Sequence, residues 1–252
     1  PDIEGLPPLH GGLMGYLGYD VVREVEHLPN VPHDDRGLPD GIMSVIGELV
    51  AIDHWRQRAV LLVNVIVPEG ADDATLDIAY DSAVDRLEAL AADGARPLNE
   101  PLMLPPDPDE EPPEVSSTMG AETYELAVEA AREHIFAGDI FQVVLSQRFD
   151  VELDAEPFDV YRVLRQVNPS PYMYFLRYEN LSVVGASPEP MVQLLDGRVV
   201  SRPIAGTRRR GRTEADDRRM AAELAEDPKE LAEHVMLVDL ARNDVGRVVA
   251  FG

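Results

Sequence analysis

Gly138-Asp139-Ile140-Phe141-Gln142-Val143-Val144-Leu145-Ser146-Gln147 and, further on, Arg202-Pro203-Ile204-Ala205-Gly206-Thr207-Arg208 carry the reading of this chain. Each is a regular element running into a turn that can build a site. Ahead of the first, Tyr124, Val128, Ala131 and Ile135 recur at spacings of 4, 3 and 4, the stripe of an amphipathic helix. Gly138 suits its C-cap, because glycine enters the left-handed region without a Cβ penalty. Residues 140–149 then predict a strand. Its alternation sets Phe141, Val143, Leu145 and Phe149 on one face, and Gln142, Val144, Ser146 and Arg148 on the other.

Downstream, residues 157–166 read as a helix that Asn168-Pro169 ends, since the residue before proline avoids the helical region. Strands are expected over 172–178, 181–185 and 191–195. Asp196-Gly197 is a hairpin turn, with 198–202 as the returning strand. Residues 213–225 predict a helix with Thr213 as N-cap. Pro228 opens a last helix at its first turn, and Leu231, Val235, Val238 and Leu240 give it an apolar side.

Upstream, residues 104–117 are proline-rich and acidic. Prolines remove backbone donors and the charges repel, which predicts a linker between segments 1–103 and 118–252. In the first segment, Gly11-Gly12-Leu13-Met14-Gly15-Tyr16-Leu17-Gly18-Tyr19-Asp20 lacks the Lys-Ser/Thr ending of a phosphate loop. It suggests close backbone packing, or a strand meeting a turn. Residues 44–53 and 59–67 read as a hairpin. Residues 73–92 read as a helix with Leu76, Ala79, Ala83, Leu87 and Leu90 on one face.

The net charge of −25 makes nucleic acid and anionic membranes poor partners. No apolar run reaches the roughly 18 residues of a membrane span. The absence of cysteine removes disulfides, thiolate metal sites and a Cys nucleophile. A cytoplasmic protein is the expectation. The chain opens on Pro1 and stops at Phe251-Gly252 after a helical run, which reads as a piece of a longer protein.

Four groups could carry chemistry. Gln142 in an apolar strand is either a core glutamine bonded to backbone or a neutral group holding a small nucleophile. Glu189, between Pro188 and Pro190, is either a turn carboxylate facing water or a general acid held in one position. Gly206 lets a ligand approach backbone and Thr207 offers a hydroxyl, while Arg208, Arg209 and Arg210 either attract an anionic substrate or form a solvated loop. Glu230, Glu233 and His234 share a helix face at i, i+3 and i+4. They are either a solvent-facing acidic patch near a helix N-terminus or hard oxygen ligands for Mg²⁺.

Residues 138–148, 168–172, 185–190, 202–211 and 228–247, the last with Leu237-Val238-Asp239-Leu240-Ala241-Arg242-Asn243-Asp244, resemble in order the motifs of the chorismate-utilising enzymes. Residues 12–20 resemble the N-terminal segment of the anthranilate synthase component I branch. The resemblance implies an α/β (α+β) fold of layered antiparallel sheets with outer helices, present here incompletely. It implies that Gln142 stands where water-using isochorismate and salicylate synthases carry a lysine, which points to ammonia as nucleophile. Ala205 stands where aminodeoxychorismate synthases typically carry a lysine, which points to anthranilate as product.

The same resemblance gives Glu189 the general-acid role, Glu233 and Glu230 the Mg²⁺ helix, and Gly206 and Thr207 the substrate site. Pro171, Tyr172 and Met173 match a feedback site for tryptophan. The implied reaction takes chorismate and ammonia to anthranilate and pyruvate, with ammonia from a glutamine amidotransferase subunit. The alternatives are an aminodeoxychorismate synthase and a non-catalytic fragment. Further carboxylates of the metal site and the residues that hold the pyruvyl carboxylate are expected outside this chain, which predicts little turnover by the chain alone.

Overall fold

A computed structural model describes residues 5–105, 107, 109 and 111–250. The chain forms two units, Pro1–Pro101 and Leu102–Gly252. Positions 106, 108 and 110 of the proline-rich stretch, and the terminal Phe251-Gly252, lie outside the described residues.

In the first unit, β1 (Leu13–Leu17) pairs antiparallel with β2 (Gly41–Val45), Leu13 opposite Val45 and Leu17 opposite Gly41. A short 3-10 helix (Tyr19–Glu24) follows β1. β3 (Glu48–Asp53) pairs with β4 (Arg58–Val63). The expected strand over 44–53 is therefore two strands in two sheets. The chain turns at Ile46-Gly47, where the Ile46 amide donates to Gly12 O at 2.9 Å and the Asn64 amide to Gly47 O at 2.7 Å. The side chain of Asn64 donates to both His10 O and Ile46 O, each at 3.1 Å, and so fastens the break. α1 (Asp73–Gly94) is capped by Asp72, which accepts from the Thr75 amide at 2.9 Å. α1 lays Leu76, Ala79, Ala83 and Leu87 over Leu61 and Val63 of β4, as the stripe predicts.

In the second unit, β5 (Val115–Ser117) pairs with β6 (Phe149–Val151). This corrects two expectations. The end of the linker is a strand, and of the strand expected over 140–149 only Phe149 joins a ladder. Its backbone is held by other means. Tyr124 Oη of α2 (Ala121–Ala137) donates to Leu145 O at 3.3 Å, and the Thr118 amide donates to Arg148 O at 3.0 Å. Alternation of side chains marks extended backbone. A ladder also needs a partner strand, which no local pattern supplies. Gly138 ends α2 at φ 82°, as a left-handed cap should.

α3 (Pro157–Val167) packs on the hairpin of β7 (Tyr172–Arg177) and β8 (Ser182–Ser187). The Phe158 and Phe175 rings meet at 5.1 Å between centroids, with Tyr161 at 5.9 Å from each. β9 (Gln193–Leu195) and β10 (Arg198–Val200) close on Asp196 and Gly197 at φ 49° and 74°, the two positive angles of a type I′ turn. Both strands are shorter than expected, because Met191, Val192 and Ser201 leave the ladder to line a cleft. α4 (Glu214–Glu226) is capped by Thr213, which accepts from the Asp216 amide at 3.2 Å. α5 (Pro228–Gly246) starts on its proline, with Asp227 as N-cap.

The architecture is thus mixed α/β, with small antiparallel sheets and helices on them. Among the described residues none is buried. On α5, Leu231, Val235, Val238 and Leu240 are all exposed. No described helix is long and apolar enough to cross a membrane.

Candidate active site

A cleft of about 470 Å³ lies between the loop after β8, the β9–β10 hairpin, residues 201–204 and one face of α5. Its apolar lining includes Met191, Val199, Ile204, Leu237 and Val245, and Glu189 and Asp244 are its carboxylates. Pro188 and Pro190 fix the backbone on either side of Glu189. Ser187 closes the turn further: its Oγ donates to Glu189 O at 3.0 Å and lies 3.3 Å from the Glu189 amide. Among the described residues the half-buried carboxylate is then held by one hydrogen bond, Oε1 accepting from the Ile204 amide at 2.9 Å. That bond ties the Glu189 turn to the second deciding stretch of the sequence. A carboxyl group so placed, with apolar walls around it, is positioned to give a proton to a ligand in the cleft.

From Ile204 the chain continues past the N-terminal end of α5. Gly206 packs directly on the Glu230 carboxylate, and a Cβ there would overlap it. Thr207 is exposed. Arg208 reaches three carboxylates: Glu230 Oε1 at 2.9 Å, Asp227 Oδ2 at 3.0 Å and Glu223 Oε1 at 3.8 Å. The Glu230 hydrogen bond, followed by the charges of Glu230, Asp227 and Glu223, holds the Arg208 guanidinium above its ordinary pKa against desolvation. Arg210 pairs with Asp217 of α4. The triple arginine is therefore not a free cationic patch. Two of its charges are paired with carboxylates of α4 and the α4–α5 junction, and among the described residues Arg209 is exposed without an ion pair.

Glu230, Glu233, Leu237, Ala241 and Asp244 follow one another at helical spacing, so the acidic end of α5 and its cleft-lining end share a face. Glu233 is half-buried on it and His234 is exposed. These carboxylates do not fit a metal by themselves. Among the described residues no group of three or more His, Asp or Glu side chains could hold one. Glu230, the partner Glu233 would need, is already bonded to Arg208.

The structure thus joins Glu189, Gly206 and Glu230 along residues 204–208, with Ala205 half-buried between them. It does not bring Gln142 to them: Gln142 is exposed on the unpaired stretch and is not part of the cleft wall. Pro171 and Tyr172 are exposed and Met173 half-buried at the start of β7, where Tyr172 stands opposite Ser187 and Met173 opposite Ala186. Sequence reading missed the Arg208 contacts and the second use of Asp227. The signal for the latter was Asp227-Pro228, an N-cap followed by proline at the first helical position.

A profile of the family described as chorismate binding enzyme matches residues 2–252. This chain belongs to the chorismate-binding enzyme family. It is 43% identical to anthranilate synthase component 1 of Acetivibrio thermocellus over 254 residues, covering 100% of this chain and 50% of that protein. It is 45% identical to anthranilate synthase component 1 of Mycolicibacterium smegmatis over 252 residues, covering 97% of this chain and 47% of that protein. In structure it is similar to anthranilate synthase component I from Streptococcus pneumoniae TIGR4, with a TM-score of 0.78, 34% identity, and coverage of 98% of this chain and 52% of that one. The chain spans about half the length of the curated relatives it matches.

Proposed function

We propose that this chorismate-binding chain is the part of an anthranilate synthase component I that carries the general acid, and that the reaction it serves joins chorismate and ammonia to give anthranilate, pyruvate and water. The observation that carries the reading is the Glu189 carboxyl, fixed on the Ile204 amide at 2.9 Å inside an apolar cleft. Support comes from relatives of that name at 43–45% identity over nearly all of the chain. In the proposed sequence ammonia adds at C2 of chorismate while the C4 hydroxyl leaves as water, taking its proton from Glu189. Loss of the C2 proton and of the C3 enolpyruvyl group, which departs as pyruvate, then aromatises the ring. Gly206 and Thr207 bind the substrate beside Glu189, whereas Gln142, exposed outside the cleft wall, has no step in the proposed reaction. Ala205 in place of a lysine leaves no amine to attack the ring, which disfavours aminodeoxychorismate as product.

The finer parts of the reading rest on the family resemblance. A glutamine amidotransferase subunit supplies ammonia. Tryptophan binds at Pro171, Tyr172 and Met173, and its site is linked to the catalytic turn through the Tyr172–Ser187 pair of the β7–β8 hairpin. Glu233 and Glu230 would hold Mg²⁺ only together with further oxygen ligands, since Glu230 is bonded to Arg208, and the ion would supply charge neutralisation for a substrate carboxylate. The cysteine-free composition fits a cytoplasmic setting.

The test is a chimera in which this chain replaces the matching residues of the Acetivibrio thermocellus enzyme. With chorismate, MgCl₂ and ammonium it should release fluorescent anthranilate, and Glu189→Gln should lower kcat by about 10²-fold or more. A folded chimera without anthranilate, or a Glu189→Gln variant of undiminished rate, refutes the assignment.

A further inference from the structure

Residues 201–211 carry no helix or strand, and among the described residues no hydrogen bond between backbone groups begins or ends on them. The stretch that bears Gly206 and Thr207 is therefore placed by side chains. Ser201 Oγ donates to Met191 O at 3.5 Å, the Ile204 amide to Glu189 Oε1 at 2.9 Å and the Gly211 amide to Asp217 Oδ1 at 2.8 Å. Between the last two stands Arg208. Its Nη1 donates to Glu230 Oε1 at 2.9 Å and its Nη2 to Asp227 Oδ2 at 3.0 Å, so one planar guanidinium joins the loop to two residues of the α4–α5 junction. Asp227 is itself fixed, since its Oδ1 accepts from the Lys229 amide at 2.9 Å. Gly206 packs on the same Glu230 carboxylate, which is thus held by the loop backbone and by the guanidinium together. Arg210 also reaches a carboxylate, but its side chain is 89% exposed where that of Arg208 is 25%. Water screens the Arg210 pair more strongly, which leaves Arg208 as the firmer anchor of the loop.

We propose that Arg208 is a positioning residue for Glu189: by bridging Glu230 and Asp227 it fixes residues 204–208 on α5, and so holds the Ile204 amide where it engages the Glu189 carboxylate. Only three residues lie between Ile204 and Arg208, at most about 14 Å of extended chain from one to the other, so slack at Arg208 is felt at Ile204. A lysine would not serve as well. Its ammonium is a point donor that meets one of the two carboxylates, whereas the arginine fork meets both in fixed geometry. The inference rests on the reading of Glu189 as the general acid and identifies what keeps that carboxyl in place.

Hydrogen exchange resolved at single amides tests this without catalysis. Arg208→Ala should quicken the Ile204 amide on the order of fivefold and leave the amides of the β7–β8 hairpin at their rates. A merely stabilising arginine would quicken both alike or neither, and either result overturns the proposal. In a Glu189→Ala background, Arg208→Ala should add no acceleration at Ile204, because the acceptor through which it acts is gone, and a full fivefold there overturns it. Arg209→Ala makes the same change of charge at an exposed position and should leave Ile204 unaltered; an acceleration equal to that of Arg208→Ala overturns the proposal. Should Arg208→Ala fail to fold, Arg208→Lys decides. It should quicken Ile204 by about twofold, since one carboxylate contact is lost, and a rate equal to that of the unmodified chain overturns the proposal. In the chimera, Arg208→Ala should lower kcat severalfold when Glu189 is present and not in Glu189→Gln. An unmodified chimera that makes no anthranilate would refute the general-acid reading and leave the exchange results standing, so the two fail separately.

Discussion

Glu189→Ala removes the side-chain acceptor that, among the described residues, ties the Glu189 turn to the Ile204 amide. The Ile204 amide lies 2.9 Å from Glu189 Oε1 and has no backbone acceptor among the turn and loop hydrogen bonds of the described residues. The acceptor is a carboxylate, which strengthens the bond, but Ile204 is exposed and Glu189 half-buried, so water recovers part of the loss. A net cost of about 1–2 kcal/mol follows, equivalent to roughly a 5–30-fold rise in the local opening equilibrium. Hydrogen exchange resolved at Ile204 reads this directly: its amide should exchange faster by that factor in Glu189→Ala. The β7–β8 hairpin, which this contact does not touch, should keep its rates. Glu189→Gln retains a carbonyl acceptor of lower charge and should fall between the two. An Ile204 amide that exchanges at the same rate in Glu189→Ala as in the unmodified chain would refute the claim that this contact places the carboxylate, and with it the geometric basis for a general acid.

Other perturbations test the elements that hold the site. Gly138→Ala should lower stability by about 1–2 kcal/mol, since φ 82° is left-handed, and equal melting temperatures would contradict that cap. Thr213→Ala should cost about 1 kcal/mol by removing the oxygen that accepts from the Asp216 amide, with Thr213→Ser near neutral in thermal melts. The Asp217 carboxyl is held below the usual aspartate range by the Arg210 side chain and then by the Gly211 amide. Because its folded pKa is lowered, its contribution is present above the ordinary pKa near about 4 and is lost as pH falls through the folded value. Asp217→Asn should therefore lower the melting temperature at pH 7 and little at pH 2, and an equal loss at both would refute the pairing. In the chimera, Ala205→Lys should divert product away from anthranilate if the amine is deprotonated by burial, and an unaltered product and rate would remove Ala205 as the discriminator.

Local chemistry was legible in the linear chain wherever one element decides its own shape. Gly138 as a left-handed cap, Asp196-Gly197 as a primed turn, Thr213 as an N-cap and Pro228 at a first turn all follow from the backbone demands of a few consecutive residues. The stripe Leu76, Ala79, Ala83 and Leu87 named the face of α1 that meets β4 for the same reason, a period fixed by helix geometry. The order of the motifs likewise points to the chorismate-binding family in the linear sequence. Pairing was not legible, because a strand's partner is chosen by chain far away. Residues 44–53 divided between two sheets, and residues 140–148 stayed unpaired despite a clean alternation. Nor could a string of residues show which charges are already matched. Arg208, Arg209 and Arg210 read alike in sequence. Only the folding of residues 204–211 onto the α4–α5 junction gives Arg208 to Glu230 and Asp227, gives Arg210 to Asp217, and leaves Arg209 in solvent. Charge pairing depends on distance in space, which tertiary structure alone sets, whereas caps and turns depend on dihedral angles that the residues themselves restrict.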